Sequence, residues 1–177
     1  MSIDLGPAPG APHGAAQNDY ARDRAAILQL EAEYLLALDW GDAAAYAALF
    51  APEGRLDWAG GSAIGPEPIY REMTSYKDMV RKVYGTDDAG NPVTLRHFIT
   101  NQAIYIHGET AKGVVYWFEM ANTGPGGAPV VGSYGHYEDS MRKVDGAWKF
   151  VTRTIFNEQV EGRKAGPDNP ALAARMA

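Results

Sequence analysis

LRHFITNQAIYIHGETAKGVVYWFEMANTGPGGAPVVGSYGHYEDSMRKVDGAWKFVTRTIFNE, residues 95–158, decides how this chain folds. Leu95, His97 and Ile99 alternate onto one face of an extended segment, because successive side chains of a strand point to opposite sides. The interruptions are turn residues: His107-Gly108, the Gly/Pro run from Gly124 to Pro129, and Asp145-Gly146, a strong two-residue hairpin signal. The pattern predicts strands over 93–106, 112–122, 130–143 and 147–158, joined as an antiparallel meander.

Upstream the apolar period lengthens to that of a helix. From Asp23 to Leu38 the residues Ile27, Leu30, Tyr34 and Leu38 recur at helical spacing, with Leu28 and Leu35 widening the stripe. Glu31 falls in the middle of that apolar face. Gly41 ends this helix, and Asp42 caps a second one carrying Tyr46, Leu49 and Phe50 up to Pro52. Gly54 to Trp58 reads as a short strand and Gly60 to Gly65 as a loop. Pro66 opens a third helix, with Ile69, Met73, Tyr76, Val80 and Val83 on one face and turn residues from Gly85 to Pro92 beyond it. Helices that precede an antiparallel sheet must cover one of its faces, so the fold class is α+β around a single pocket.

Composition narrows the function. The 177 residues suit one domain, able to bury roughly 70% of its unfolded surface. A hydrophobic content of 46% and a net charge of -6, without clustered Lys or Arg, argue against disorder, nucleic acid and anionic lipid as partners. Without cysteine there are no disulfides, thiolate metal sites or thiol nucleophiles. Residues 1–18 lack the features of a signal peptide and are expected to form a flexible arm, and a cytoplasmic location is expected. No apolar run approaches the roughly 20 residues that span a bilayer. The four histidines include no HExxH pattern, GPGG at 124–127 precedes a strand rather than a helix, and no GxSxG occurs. No metal or cofactor is expected, which leaves acid/base side chains to carry any chemistry.

Three segments, YLLALDWGDAAAYAALFAPEGRLDW (34–58), LRHFITN (95–101) and YGHYEDSMRKVDGAWKF (134–150), together resemble the SnoaL-like branch of the nuclear transport factor 2-like superfamily. Within it they are similar to the scytalone dehydratase type. The resemblance covers about residues 20–160 and implies a domain over 19–160, a C-terminal tail over 161–177, and a cone-shaped cystatin-like fold whose curved sheet closes on an apolar cavity. It further implies that Asp39, late in the first helix, supports His97, which moves the substrate's protons, while cavity tyrosines polarise a carbonyl. Trp58 stands where an aromatic hydroxyl would be expected, Tyr116 where a histidine would be, and Tyr137 where an asparagine would be. These departures point away from the dehydratase's own substrate and toward another guest in a Tyr-lined pocket.

The candidate catalytic residues are therefore His97, Asp39 and Tyr34, with Glu31, Tyr46, Trp58, Tyr116, Tyr137 and Asp139 as candidate substrate-binding residues. A carboxylate on an apolar helix face, as at Glu31, is protonated, paired with an arginine, placed in the cavity, or turned out to the surface. Arg55, Arg96 and Arg153 are its possible partners. His136 should face away from Tyr137 and Asp139. The expected function is a cofactor-independent lyase or dehydratase acting on a small aromatic or polycyclic molecule, including loss of formaldehyde from lignin-derived diaryl compounds in aromatic catabolism. The alternatives are a ketosteroid isomerase-like isomerase with Glu31 or Asp39 as base, and a non-catalytic binding module or dioxygenase small subunit. An apolar sheet face with Tyr134, Val151 and Ile155 leads to the expectation of a homodimer or higher oligomer.

Overall fold

A computed structural model describes residues 15–86, 90–91 and 93–176. The expected arm is outside these residues up to position 14; from Ala15 the chain is already helical. Helix α1 spans Ala15–Trp40 and α2 Ala43–Ala48. Strands β1 (Phe50–Trp58) and β2 (Gly61–Ile64) follow, then α3 (Pro66–Tyr84). The remaining strands are β3 (Leu95–His107), β4 (Thr110–Ala121), β5 (Val130–Val144) and β6 (Ala147–Asn157), before a last helix α4 (Pro170–Met176). Among the described residues no helix is long and apolar enough to cross a membrane.

The sheet order is β2-β1-β6-β5-β4-β3. Strands β3 to β6 form the expected antiparallel meander, and Asp145 and Gly146, both at positive φ, make its last tight turn. Two expectations at the other edge change. Phe50 opens β1 instead of closing α2, and Gly61 to Ile64 is a strand hairpinned onto β1 rather than a loop. Strand β1 then lies parallel to β6, because α3 carries the chain from that edge of the sheet to the other.

Bulges decide which side chains face the helices. In β3, Thr100 pairs with Tyr116 but Ala103 with Val114, so β3 holds one extra residue, and Asn101 there takes φ 52°. The inward set accordingly changes from Leu95, His97 and Ile99 to Ile104 and Ile106. A second extra residue, Val151 in β6, separates the Ser140–Thr152 and Met141–Phe150 pairs. Phe150 and Arg153 therefore share the concave face, where Ile155 joins them instead of the outer patch expected of it.

The core closes over an ion cluster. Arg153 on β6 has a fully buried side chain whose Nη2 donates to Asp139 Oδ2 at 2.7 Å and to Glu31 Oε2 at 2.8 Å. Its Nε donates to Asp139 Oδ1, and its guanidinium carbon lies 4.0 Å over Tyr34, 4.4 Å over Tyr137 and 4.1 Å over Phe150. Glu31 thus neither reaches the surface nor lines the cavity, and Asp139 is no pocket residue either. Arg153 claims both because it is the cation their buried carboxylates need. Burial raises Glu31 to about 7 against the lowering pull of Arg153, with the Asp139 charge adding to the rise.

Removing the cation strands two buried carboxylates, so Arg153→Met should lower stability by about 3–5 kcal/mol in urea denaturation at neutral pH. A loss under about 1 kcal/mol would contradict the role given to this cluster. Glu31 binds a proton more tightly folded than unfolded, so its contribution is full below about 4.5 and disappears as pH rises to about 7. Glu31→Gln should flatten that part of the stability–pH curve, measured as the difference from the parent protein.

Candidate active site

Between α1, α3 and the concave face of the sheet lies a cavity of about 510 Å3. Tyr34, Tyr46 and Tyr137 form its floor above the Arg153 cluster, and Trp117 and His97 form a wall. Met79 and Val83 on α3 line it too, with Val83 65% exposed, as do Trp58 and Gly60. A Cβ at Gly60 would stand 2.6 Å from Trp58 Nε1, so a larger residue there would displace the Trp58 ring. Among the described residues the lining holds no Lys or Arg; its ionisable side chains are His97, Glu119, Glu72 and tyrosines.

Asp39, one residue before the end of α1, fixes His97 at two points. One carboxylate oxygen lies 2.7 Å from His97 Nδ1, and both lie within 3.2 Å of the His97 backbone N–H. The ring therefore keeps Nδ1 toward the helix and Nε2 toward the cavity. Both side chains are buried, so the contact is strong.

Sequence reasoning missed the group that meets the other nitrogen. Glu119 Oε2 lies 3.2 Å from His97 Nε2, the two residues being direct cross-strand partners of β3 and β4. The other oxygen of Glu119 accepts from Tyr84 Oη at 2.5 Å and from the Ser133 backbone N–H at 3.0 Å. Gly132 makes room for it, because a Cβ there would stand 2.8 Å from Oε1. Burial pushes the Glu119 carboxyl up, but hydrogen bonds from His97, Tyr84 and Ser133 outweigh it and hold the group at about 2. At His97 burial favours the neutral ring, and the hydrogen bonds and charges of Asp39 and Glu119 overcome it, raising the imidazole above its ordinary value.

On the floor, Tyr46 donates to Tyr34 Oη at 2.6 Å. Tyr34 therefore keeps its own proton for another acceptor. Burial raises Tyr34, Tyr46 and Tyr137 above the ordinary phenol range, so all three remain neutral donors. Trp117 stacks on Tyr137 with ring centres 5.8 Å apart and sends its Nε1–H to the Phe156 carbonyl, presenting a flat aromatic wall.

Of the residues singled out from sequence, the cavity gathers His97, Tyr34, Tyr46, Trp58 and Tyr137, with Asp39 behind His97. Tyr116 is a correction: the pleat that turns Val115, Trp117 and Glu119 inward turns Tyr116 outward, where it is 51% exposed. His136 faces away from Tyr137 as expected, stacked on Phe156. Tyr76, Tyr84, Trp117 and Asn157 line the site without having been singled out for it.

The fold is shared with solved proteins of low sequence identity. A nuclear transport factor 2-like protein with a cystatin-like fold from Novosphingobium aromaticivorans aligns with a TM-score of 0.67 at 20% identity, over 92% of this chain and 94% of that one. A protein of unknown function from Mycobacterium tuberculosis gives 0.68 at 19% identity, over 92% and 89%. A candidate scytalone dehydratase from Novosphingobium aromaticivorans gives 0.63 at 20% identity, over 79% and 87%. No curated protein matches the sequence significantly. The SnoaL-like domain profile matches residues 19–154, most of the chain. With its curved sheet, helical cover and buried chamber, the chain belongs to the SnoaL-like domain family.

Proposed function

We propose that this protein is a cofactor-independent lyase that uses His97 to move protons on an uncharged aromatic or polycyclic molecule, in a dehydration or a carbon–carbon cleavage. The observation that supports it is His97 itself: buried, clamped through Nδ1 by Asp39, and turning Nε2 to an aromatic cavity of about 510 Å3. A side chain held this way transfers protons without first reorganising. The absence of Lys and Arg from the described lining favours a guest without carboxylate or phosphate. The cavity's size falls in the range of drug-sized ligands.

Asp39 selects the tautomer and stabilises the charged ring. Tyr34, whose proton is not used by Tyr46, donates to an oxygen that gains negative charge, and the Arg153 guanidinium under its ring favours that charge. The isomerase alternative loses its two named bases: Asp39 is behind His97, and Glu31 is held by Arg153. A binding module shares the architecture, but it has no use for a histidine clamped to a carboxylate against the guest.

His97→Gln should reduce turnover by about 10²–10⁴-fold. The assay follows a panel of neutral bicyclic hydroxy ketones and diaryl alcohols by mass spectrometry, with circular dichroism confirming an unchanged fold. Unchanged turnover would remove His97 from the chemistry. Asp39→Asn should lose a comparable factor in kcat with little change in KM, since Asp39 acts through the ring and not on the guest. Panel members that raise the melting temperature without being converted would instead mark the protein as a binder.

A further inference from the structure

The geometry assigns to Glu119 the role of keeping His97 protonated in the resting site, so that the first proton moves from His97 to the guest rather than the reverse. This rests on the lyase reading and settles its direction. A neutral imidazole carries one N–H, yet here Nδ1 faces an Asp39 oxygen at 2.7 Å and Nε2 faces a Glu119 oxygen at 3.2 Å. Only the doubly protonated ring donates to both; a neutral ring would turn a lone pair against one of the carboxylates. Glu119 does not resolve the conflict by carrying the proton itself. Its other oxygen already accepts from Tyr84 and from Ser133 N–H, and each of those bonds favours the anion.

The other titratable groups at this corner do not compete for the proton. Tyr34 on α1 and Tyr76 and Tyr84 on α3 line the same cavity, and burial pushes all three phenols up. Arg96, next in the chain, donates to the Leu95 carbonyl and stacks on Trp40 instead.

The class of guest follows. Its reacting part must offer an oxygen that takes a proton at Nε2, as a hydroxyl leaving group beside an activated carbon does. For a β-hydroxy ketone the balance closes within the site. The Nε2–H bond breaks as an O–H bond forms on the departing hydroxyl, and the C–O bond breaks with its electron pair on oxygen. The neighbouring C–H pair becomes the new C=C bond, and its proton goes to Glu119. Glu119 is a weak base while the imidazolium faces it and a stronger one once that charge has left. Passing the proton back across 3.2 Å to Nε2 restores the resting pair.

The decisive measurement needs no substrate. In long-range 1H–15N spectra of 15N-labelled protein recorded across neutral pH, His97 should keep both ring nitrogens protonated beyond the pH at which a free imidazole loses its proton. The signal is assigned by its loss in His97→Gln. Glu119→Gln should move the His97 midpoint down, because one of the two carboxylates that favour the charged ring is gone, while Glu119→Asp should move it less. A neutral His97 in the unsubstituted protein overturns the proposal, whatever the variants do. Any panel member converted by the parent should be converted at least ~100-fold more slowly by Glu119→Gln; equal rates overturn the role of Glu119 and leave the lyase reading standing. A panel with no conversion overturns the lyase reading, and the spectrum alone still decides the charge of His97.

Discussion

One buried cation organises this protein. Arg153 reaches from β6 to Asp139, its cross-strand neighbour on β5, and to Glu31 on α1, so a single side chain ties the first helix to two central strands. A slip of one residue in β6 would carry Arg153 to the opposite face and leave two carboxylates buried without a partner. A hydrophobic substitute for the whole cluster could pack as well, but it would not penalise the wrong register in this way. The same contacts build the floor of the cavity. Tyr34, Tyr137 and Phe150 lie against the guanidinium, so the charge is covered by aromatic rings before it reaches the chamber.

What sequence alone revealed, and what it hid, follows from the bulges. The period-2 runs and the Asp145-Gly146 turn located the four long strands to within a few residues, and helical spacing located α1 and α3. Register is another matter. Counted back from the His107-Gly108 turn, where His107 pairs with Thr110, an unbroken hairpin would set His97 opposite Met120. The extra residue at Asn101 moves the pairing by one and brings Glu119 opposite His97 instead. Nothing in the spacing announces that bulge, because Asn is tolerated at positive φ without being required there. The bulge at Val151 likewise reversed the side assigned to Ile155. Tyr116 was misplaced for a different reason: it was chosen by likeness to another protein's histidine, whereas the pleat gives the inward place to Trp117.

Glu31 was legible as an anomaly but not as a solution. A carboxylate within an apolar stripe announces that something must compensate it, and three arginines were available. Choosing Arg153 requires knowing that β6 is central, next to both β5 and β1, which is a property of the assembled sheet.

The two buried glutamates are shifted in opposite directions for a physical reason. Glu31 receives one hydrogen bond, from an arginine nitrogen that also serves Asp139, so burial wins and the group is raised to about 7. Glu119 receives hydrogen bonds from His97, Tyr84 and Ser133, so the donors win and it is held at about 2. The number of donors, more than depth alone, sets the outcome. As a result the cluster beneath the floor, on α1, β5 and β6, keeps its charges out of the cavity, and the wall, carried by the β3–β4 hairpin, keeps a fixed anion beside a histidine. Apart from tyrosines, the ionisable side chains that line the cavity are Glu72 on α3 and the His97–Glu119 pair on the β3–β4 hairpin, so the cluster that anchors the fold and the pair that faces the cavity sit on different strands of the same sheet.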